Sequence, residues 1–187
     1  MMPIKFHLGC GNKKIHGYIN IDIRSEVQPD IVYDIANINK LFNNEADVIY
    51  ACHVLEHFPQ KPSKFAPISY FEVLQNWFEV LKSGGILRLS VPNFEACIER
   101  YLVNKNIDEL HGLLYGGQKN DFDFHYTTFS FKKLKYILEK NGFINIKEYD
   151  WRKTDHCFVD DYSQSYLPHM DKENGKLMSL NIEAQKK

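Results

Sequence analysis

The stretch "HLGCGNKKIHGYINIDIR", residues 7–24, constrains the fold more than any other part of the chain. A short apolar run ends in Gly9-Cys10-Gly11, and a second apolar run ends in Asp22. Two glycines directly after a strand let the backbone turn sharply and approach a ligand. A carboxylate ending the next strand can accept hydrogen bonds from both hydroxyls of a ribose. The plainer reading is a tight turn and a solvated strand end. Few residues separate Gly11 from the second run, whereas a parallel crossover normally needs about a dozen. Any helix between these strands is therefore predicted to be a single turn or nearly absent.

Short apolar runs alternate with helical periodicity along the rest of the chain. Strands are predicted at residues 4–8, 18–23, 31–33, 47–51, 86–91, 143–149 and 177–184. The spacing predicts a helix over 69–82, with Phe71, Leu74, Phe78 and Leu81 on one face. Ser69 and Glu72 fit a capping box, and Ser83-Gly84-Gly85 reads as the stop. Asn93 can cap a helix carrying Phe94, Cys97, Ile98 and Tyr101. Ser130 can cap another, carrying Phe131, Leu134, Ile137 and Leu138 and closed by Asn141-Gly142. Strands alternating with helices predict an α/β fold, a doubly wound and mostly parallel sheet. Ligands then sit beyond the carboxyl ends of the strands. A length of 187 residues suits one domain, 1–187, with substrate-covering insertions at about 92–129 and 150–176.

Composition narrows the function classes. With 44% hydrophobic and 14% aromatic residues the chain should build a core. A net charge of -1 supplies no global field, so neither nucleic acid nor a membrane surface is expected as a partner. No apolar run approaches the roughly 20 residues of a membrane span. The start lacks the regions of a signal peptide. Cys10, Cys52, Cys97 and Cys157 lie far apart without a C-x-x-C pair, which reads as free thiols in the cytoplasm. Nothing in the sequence specifies an oligomeric state.

The glycine turn does not fit a dinucleotide. The third position of G-x-G-x-x-G is Lys14, and no long helix follows to meet a pyrophosphate. No G-x-x-x-x-G-K-[ST] loop is present. Instead, the ordered set "LGCG", "NIDIR", "YDI", "VIYACHVLEHF" and "EVLKSGGILRLSVPN" resembles the class I S-adenosylmethionine-dependent methyltransferases. The resemblance implies a seven-stranded Rossmann-like sheet ordered 3-2-1-4-5-7-6, with strand seven antiparallel. It implies S-adenosyl-L-methionine as cofactor, with Gly9, Cys10 and Gly11 under its methionine part. Asp22 would then hold the ribose, Asp34 would lie near the adenine, and the backbone at Cys52 and His53 would flank the sulfonium. Asp34 can equally cap the turn that follows it. An NAD(P)-dependent oxidoreductase and a non-catalytic cofactor-binding relic remain as alternatives.

"HVLEH" places His53, Glu56 and His57 at i, i+3 and i+4. The H-x-x-E-H pattern also occurs in zinc peptidases, but it needs a long helix, and Pro59 follows almost at once. The local pattern is similar to the E-x-x-E-H of metal-assisted O-methyltransferases, such as the small-RNA 2′-O-methyltransferases, with His53 in place of their first glutamate. That resemblance implies a divalent-metal set of His53, Glu56, His57 and a later histidine, for which His125 in "DFDFHYTTF" is the candidate. A second role is open, in which Glu56 and His57 only hydrogen-bond the loop and substrate. His57 and His125 are also the candidate catalytic bases, since an imidazole can take a proton from a hydroxyl acceptor.

Residues 150–176 interrupt what is usually a short hairpin. Trp151, Arg152, His156, Asp160, Tyr162 and His169 are its candidate substrate contacts. Aromatic faces beside carboxylates suit a small polar acceptor, a sugar-like or phosphorylated molecule. Compact family members with a pattern similar to "DDYSQ…LPH" are associated with bacterial surface-polysaccharide biosynthesis, and that resemblance implies O-methylation of a sugar precursor or a phosphoramidate-type group.

Overall fold

Short, largely buried runs build the sheet. The computed structural model describes residues 2–187. Its elements are β1 (Lys5–Leu8), β2 (Ile19–Asp22), β3 (Ile31–Val32), β4 (Ala46–Cys52), α1 (Tyr70–Val80), β5 (Leu81–Pro92), α2 (Phe94–Asn104) and α3 (His111–Tyr115). There follow α4 (Phe131–Lys140), β6 (Phe143–Glu148), β7 (Tyr166–Leu167), β8 (Lys176–Leu177) and β9 (Ser179–Lys186). Seven strands form one sheet in the order β3-β2-β1-β4-β5-β9-β6, and β7 and β8 form a separate pair. β9 runs antiparallel to both β5 and β6. It is the predicted seventh strand, so the expected order 3-2-1-4-5-7-6 is the observed one. No helix lies between β1 and β2, and only the turn Ser25–Val27 lies between β2 and β3.

One face of the sheet is apolar. Phe6, Ile49, Leu87 and Ala184 are successive cross-strand neighbours, as are Leu8, Ala51, Leu89 and Ile182. All eight are buried. α1 and α4 pack here through Val73, Leu74, Trp77, Leu134 and Leu138. Ser69 and Glu72 form the expected capping box on α1, and Ser130 caps α4. Trp77 donates its indole N–H to the Ile35 carbonyl at 2.9 Å, which satisfies a polar atom in the middle of the core.

Three helix details differ from the periodicity. The buried stripe of α1 is Tyr70, Val73, Leu74, Trp77 and Val80, while Phe71 is exposed. Phe78 sits at the stripe's edge, edge-to-face with Phe143. Ser83-Gly84-Gly85 does not stop the helix, because β5 already starts at Leu81. These residues lie in an irregular step of β5, between the pairs Ala46–Leu81 and Val48–Ile86. A Cβ on Gly85 would stand 2.9 Å from the Lys82 carbonyl oxygen and 3.0 Å from that of Ala46. On α2 only Ala96 and Cys97 are buried, and Phe94, Ile98 and Tyr101 stay partly exposed. α2 packs on Leu110 and Met178 rather than on the sheet core, so a narrow stripe suffices.

The opposite face is polar. His7 pairs with Asn20 on one side and Tyr50 on the other, Tyr50 with Arg88, and Arg88 with Glu183. Residues 151–164 cover this face. Tyr50 donates to Asp161 Oδ2 at 2.7 Å, and Asn181 Nδ2 donates to the Ser163 carbonyl at 2.9 Å. Asp155 pairs with Lys5 and with Arg88, and accepts from the Tyr18 hydroxyl. Among the described residues, no helix is long and apolar enough to cross a membrane.

Two outcomes follow from this polar layer. Tyr50→Phe removes a buried hydrogen bond to a carboxylate and should cost about 1.5–3 kcal/mol in a denaturant melt. Burial brings the His7 imidazole down to about 4, although its Nδ1–H donates to Asn20 Oδ1 at 3.2 Å. The unfolded histidine takes a proton below about 6.5, while the folded one stays neutral to about 4. Stability should therefore fall as pH drops through that window, by an amount on the order of 3 kcal/mol from this residue. His7→Gln keeps an N–H donor and should flatten that part of the stability–pH curve.

Candidate functional site

The glycine turn after β1 is built as a close-approach loop. Gly9 has φ +67°, and a Cβ there would stand 2.6 Å from Val54 Cγ2. Gly11 has φ +50°, a region that suits glycine. The N–H groups of Gly9 and Cys10 both donate to the Ile21 carbonyl, at 2.8 and 3.2 Å. Asp22 fixes the rest of the turn. Its Oδ2 accepts the Gly11 N–H at 2.8 Å, and its Oδ1 accepts from Arg24 N at 2.9 Å and Arg24 Nε at 3.2 Å. Asp22 is buried, as is Cys10. Burial pushes the Cys10 thiol up to about 11, so this cysteine fills space and is no nucleophile. Asp34 caps the turn after β3, accepting from Ala36 N at 2.9 Å and Asn37 Nδ2 at 2.8 Å.

Beyond the carboxyl end of β4 stands the histidine cluster. His53 has φ +52°, a conformation that costs a non-glycine residue energy. Its N–H donates to the Ser90 carbonyl at 2.8 Å, which locks this corner onto β5. Residues 55–57 form a single 3-10 turn that aims Glu56 inward. Glu56 has no exposed surface, and neither carboxyl oxygen has a hydrogen-bond partner. Its backbone carbonyl accepts from Tyr126 N and Thr127 N, which brings the segment after α3 onto the cluster.

Each imidazole has one nitrogen anchored. His57 Nδ1–H donates to the Phe124 carbonyl at 3.0 Å, and His125 Nδ1–H donates to the Leu113 carbonyl at 3.0 Å. The Ser179 hydroxyl donates to the Tyr162 carbonyl and accepts from His53 Nε2–H at 2.9 Å. The free nitrogens are thereby set as acceptors. His53 Nδ1 lies 3.5 Å and His125 Nε2 3.9 Å from Glu56 Oε1. The His57 and His125 rings meet edge-to-face at 4.7 Å. Burial, with nearby imidazoles adding to it, lowers His53 to about 3 and His57 to about 4. Burial also lowers His125 and raises Glu56 to about 8. The cluster is thus a set of neutral imidazoles around a carboxyl group that resists ionisation.

The structure divides the other expected contacts. Tyr162 is exposed and stacks at 5.1 Å on His53. His156 is buried at 2%, with its ring 4.2 Å from that of Tyr50, so it belongs to the polar layer and offers no open face to an acceptor. Trp151 and Arg152 both donate to the Tyr166 hydroxyl, at 3.4 and 3.0 Å. Asp160 pairs with Lys172, and His169 is exposed. Sequence reasoning missed Ser179 and the carbonyls of Leu113, Phe124 and Tyr162. Carbonyl anchors have no side-chain signal, and Ser179 meets His53 only through the β5–β9 pairing.

The family model described as "Methyltransferase domain" matches residues 10–148. Among curated proteins no match is found. The chain is similar in structure to a SAM-dependent methyltransferase from Archaeoglobus fulgidus, at 17% identity and TM-score 0.57, over 98% of this chain and 86% of that one. It is similar to a possible histamine N-methyltransferase from Thermotoga maritima, at 15% identity and TM-score 0.60, over 100% and 83%. It is also similar to a SAM-dependent methyltransferase from Methanosarcina mazei, at 20% identity and TM-score 0.56, over 98% and 92%. These likenesses share the fold, and the family model begins within the glycine turn, at Cys10, and spans Asp22 and the "HVLEH" corner. The chain therefore belongs to the methyltransferase-domain family, whose methyl donor is S-adenosylmethionine.

Proposed function

We propose that this protein transfers the methyl group of S-adenosylmethionine to an oxygen of a small polar acceptor. The observation that carries the reading is the cluster of neutral imidazoles and Glu56 on the edge of the sheet that bears the glycine turn. Methyl transfer is an in-line displacement from a sulfonium, and the cofactor supplies the reactive carbon. The protein must align the acceptor and manage its proton. An amine can attack with its own lone pair once neutral, whereas a hydroxyl needs a base. His57 and His125 meet that need, since burial keeps both imidazoles unprotonated near neutral pH.

The cofactor lies over Gly9–Gly11 in this reading. Asp22 accepts from the ribose hydroxyls, using lone pairs not taken by Gly11 and Arg24. Asp34 stands toward the adenine, and the backbone of Cys52 and His53 flanks the sulfonium. Tyr162 walls the acceptor side. Segments 92–129 and 150–176 supply that side within one methyltransferase domain. The acceptor class is a sugar or phosphoramidate-type precursor of surface polysaccharide, by analogy with compact family members. The four free thiols suit a reducing compartment such as the cytoplasm.

Two measurements test this. Asp22→Ala should weaken S-adenosylhomocysteine binding by about 1.5–3 kcal/mol in calorimetry. Unchanged affinity in a folded variant would remove Asp22 from the ribose site. Labelled S-adenosylmethionine with a panel of sugar phosphates, nucleotide sugars and matched amines should label hydroxyl acceptors, and Tyr162→Ala should raise KM more than it lowers kcat. Labelling of amines alone would overturn the oxygen assignment, and binding without any turnover would support a non-catalytic relic.

A further inference from the structure

The stretch "DDYSQ", residues 160–164, lends only Tyr162 to the acceptor side. The structure gives Asp161, Ser163 and Gln164 a common task. Asp161 is buried and caps the short turn Tyr162–Gln164. Its Oδ1 accepts from Ser163 N at 2.9 Å and Ser163 Oγ at 2.6 Å, and its Oδ2 accepts from the Tyr50 hydroxyl at 2.7 Å. Gln164 Nε2 donates to the carbonyls of Cys157 and Val159, at 2.9 and 2.8 Å. Tyr50 thus pins the turn to β4, and Asn181, bonded to the Ser163 carbonyl, pins it to β9. Beyond those pins the turn presents the Tyr162 ring and the Tyr162 carbonyl.

The Tyr162 carbonyl dictates the state of His53. A carbonyl can only accept, so it takes the one proton of the Ser179 hydroxyl. That hydroxyl can then only accept from His53, 2.9 Å away, which puts the imidazole proton on Nε2. The Tyr162 ring lies against the same imidazole, at 5.1 Å and 32°. His53 is therefore held at its edge by Ser179 and on its face by Tyr162. Its neighbours are arranged differently. Glu56, His57 and His125 each bring one polar atom within 4.8 Å of the others, while His53 Nε2 is committed to Ser179.

The backbone gives this grip its importance. His53 has φ +52°, which a non-glycine residue keeps only where its surroundings fix it. One fastening is its own N–H on the Ser90 carbonyl, at 2.8 Å. The imidazole bond to Ser179 is the second. We propose that Ser179 and Asp161 are positioning residues of the methyl-transfer site: Ser179 holds the His53 corner, and Asp161 acts through Tyr162 on Ser179. This rests on the reading of this edge as the methyl-transfer site, in which the Cys52 and His53 backbone flanks the sulfonium. Neither positioning residue touches donor or acceptor. A loosened corner shifts the sulfonium against the acceptor oxygen, and in-line transfer tolerates little misplacement. Ser179 then governs kcat. Asp161, which also sets the Tyr162 wall, governs kcat and KM together.

The test uses the full chain with ¹⁵N-labelled histidine, as wild type, Ser179→Ala, Ser179→Thr, Asp161→Asn and Trp77→Phe. Trp77 belongs to the core on the apolar face, so its variant reports loss of stability alone. The His53 Nε2–H resonance, assigned by its absence in His53→Gln, should be protected from exchange in wild type, Ser179→Thr and Trp77→Phe. Ser179→Ala and Asp161→Asn should lose it. With the hydroxyl acceptor that the panel identifies, Ser179→Ala should lower kcat by about 10–100-fold. Its KM and its S-adenosylhomocysteine affinity should stay within about threefold, since the glycine turn and Asp22 are separate groups. Asp161→Asn should lower kcat and raise KM, and Ser179→Thr, which keeps the hydroxyl, should restore kcat. A His53 resonance that survives in folded Asp161→Asn overturns the linkage. Wild-type kcat in Ser179→Ala, or an equal fall in Trp77→Phe, overturns the positioning role. Should Ser179→Ala not fold, Asp161→Asn decides by the same readouts. A wild type that shows the His53 resonance and binds S-adenosylhomocysteine but labels no acceptor sinks the methyl-transfer reading and not the linkage.

Discussion

The polar face of the sheet is the constraint on which the rest of the structure depends. A parallel sheet normally has its faces covered by crossover helices. Here the connection from β1 to β2 is too short for a helix, and that from β2 to β3 holds one turn. The strands answer with side chains that are not apolar on that side: His7, Asn20, Tyr50, Arg88, Asn181 and Glu183. A polar face cannot be buried under an ordinary hydrophobic helix without leaving donors and acceptors unpaired. The segment after β6 resolves this with its own polar groups, Asp155, Asp161 and Ser163, placed against Arg88, Tyr50 and Asn181.

That solution has a functional consequence. The same segment that covers the face carries Tyr162 to the corner of β4, where it stacks on His53. Its backbone carbonyl holds Ser179, and Ser179 holds His53 Nε2. Covering the sheet and orienting the His53 ring are therefore one structural act. This accounts for a long excursion between β6 and β9. It also explains why Asp155 and His156, polar residues in a loop, serve the fold.

The candidate site gathers at one edge because three segments leave it together. The β4 corner supplies Glu56 and His57, the chain after α3 supplies His125, and the segment after β6 supplies Tyr162. Tyr126 and Thr127 N–H groups grip the Glu56 carbonyl, so the His125 segment is registered on the cluster by backbone bonds. The glycine turn and Asp22 form a second unit on the same edge, tightened by the Gly11–Asp22 bond. In the proposed reading, binding of the methyl donor and handling of the acceptor draw on neighbouring but separate groups.

Much of this was legible in the sequence. The short apolar runs, the Ser69–Glu72 capping box and the Gly9–Gly11 turn are local signals, and each acts within a few residues of itself. They determined the strands and, by resemblance, the sheet order and the turn proposed to hold the cofactor. The "HVLEH" spacing brought Glu56 and His57 under suspicion for the same reason. What only the tertiary structure decided was pairing across long separations. His125 reaches Glu56 through backbone bonds some 70 residues apart, and His53 is claimed by Ser179, 126 residues away. His156 looks like a surface contact in a polar loop, yet the bare sheet face draws it inside against Tyr50. The partners that each ring nitrogen meets, not residue type, set these histidines apart, and those partners are a property of the assembled chain.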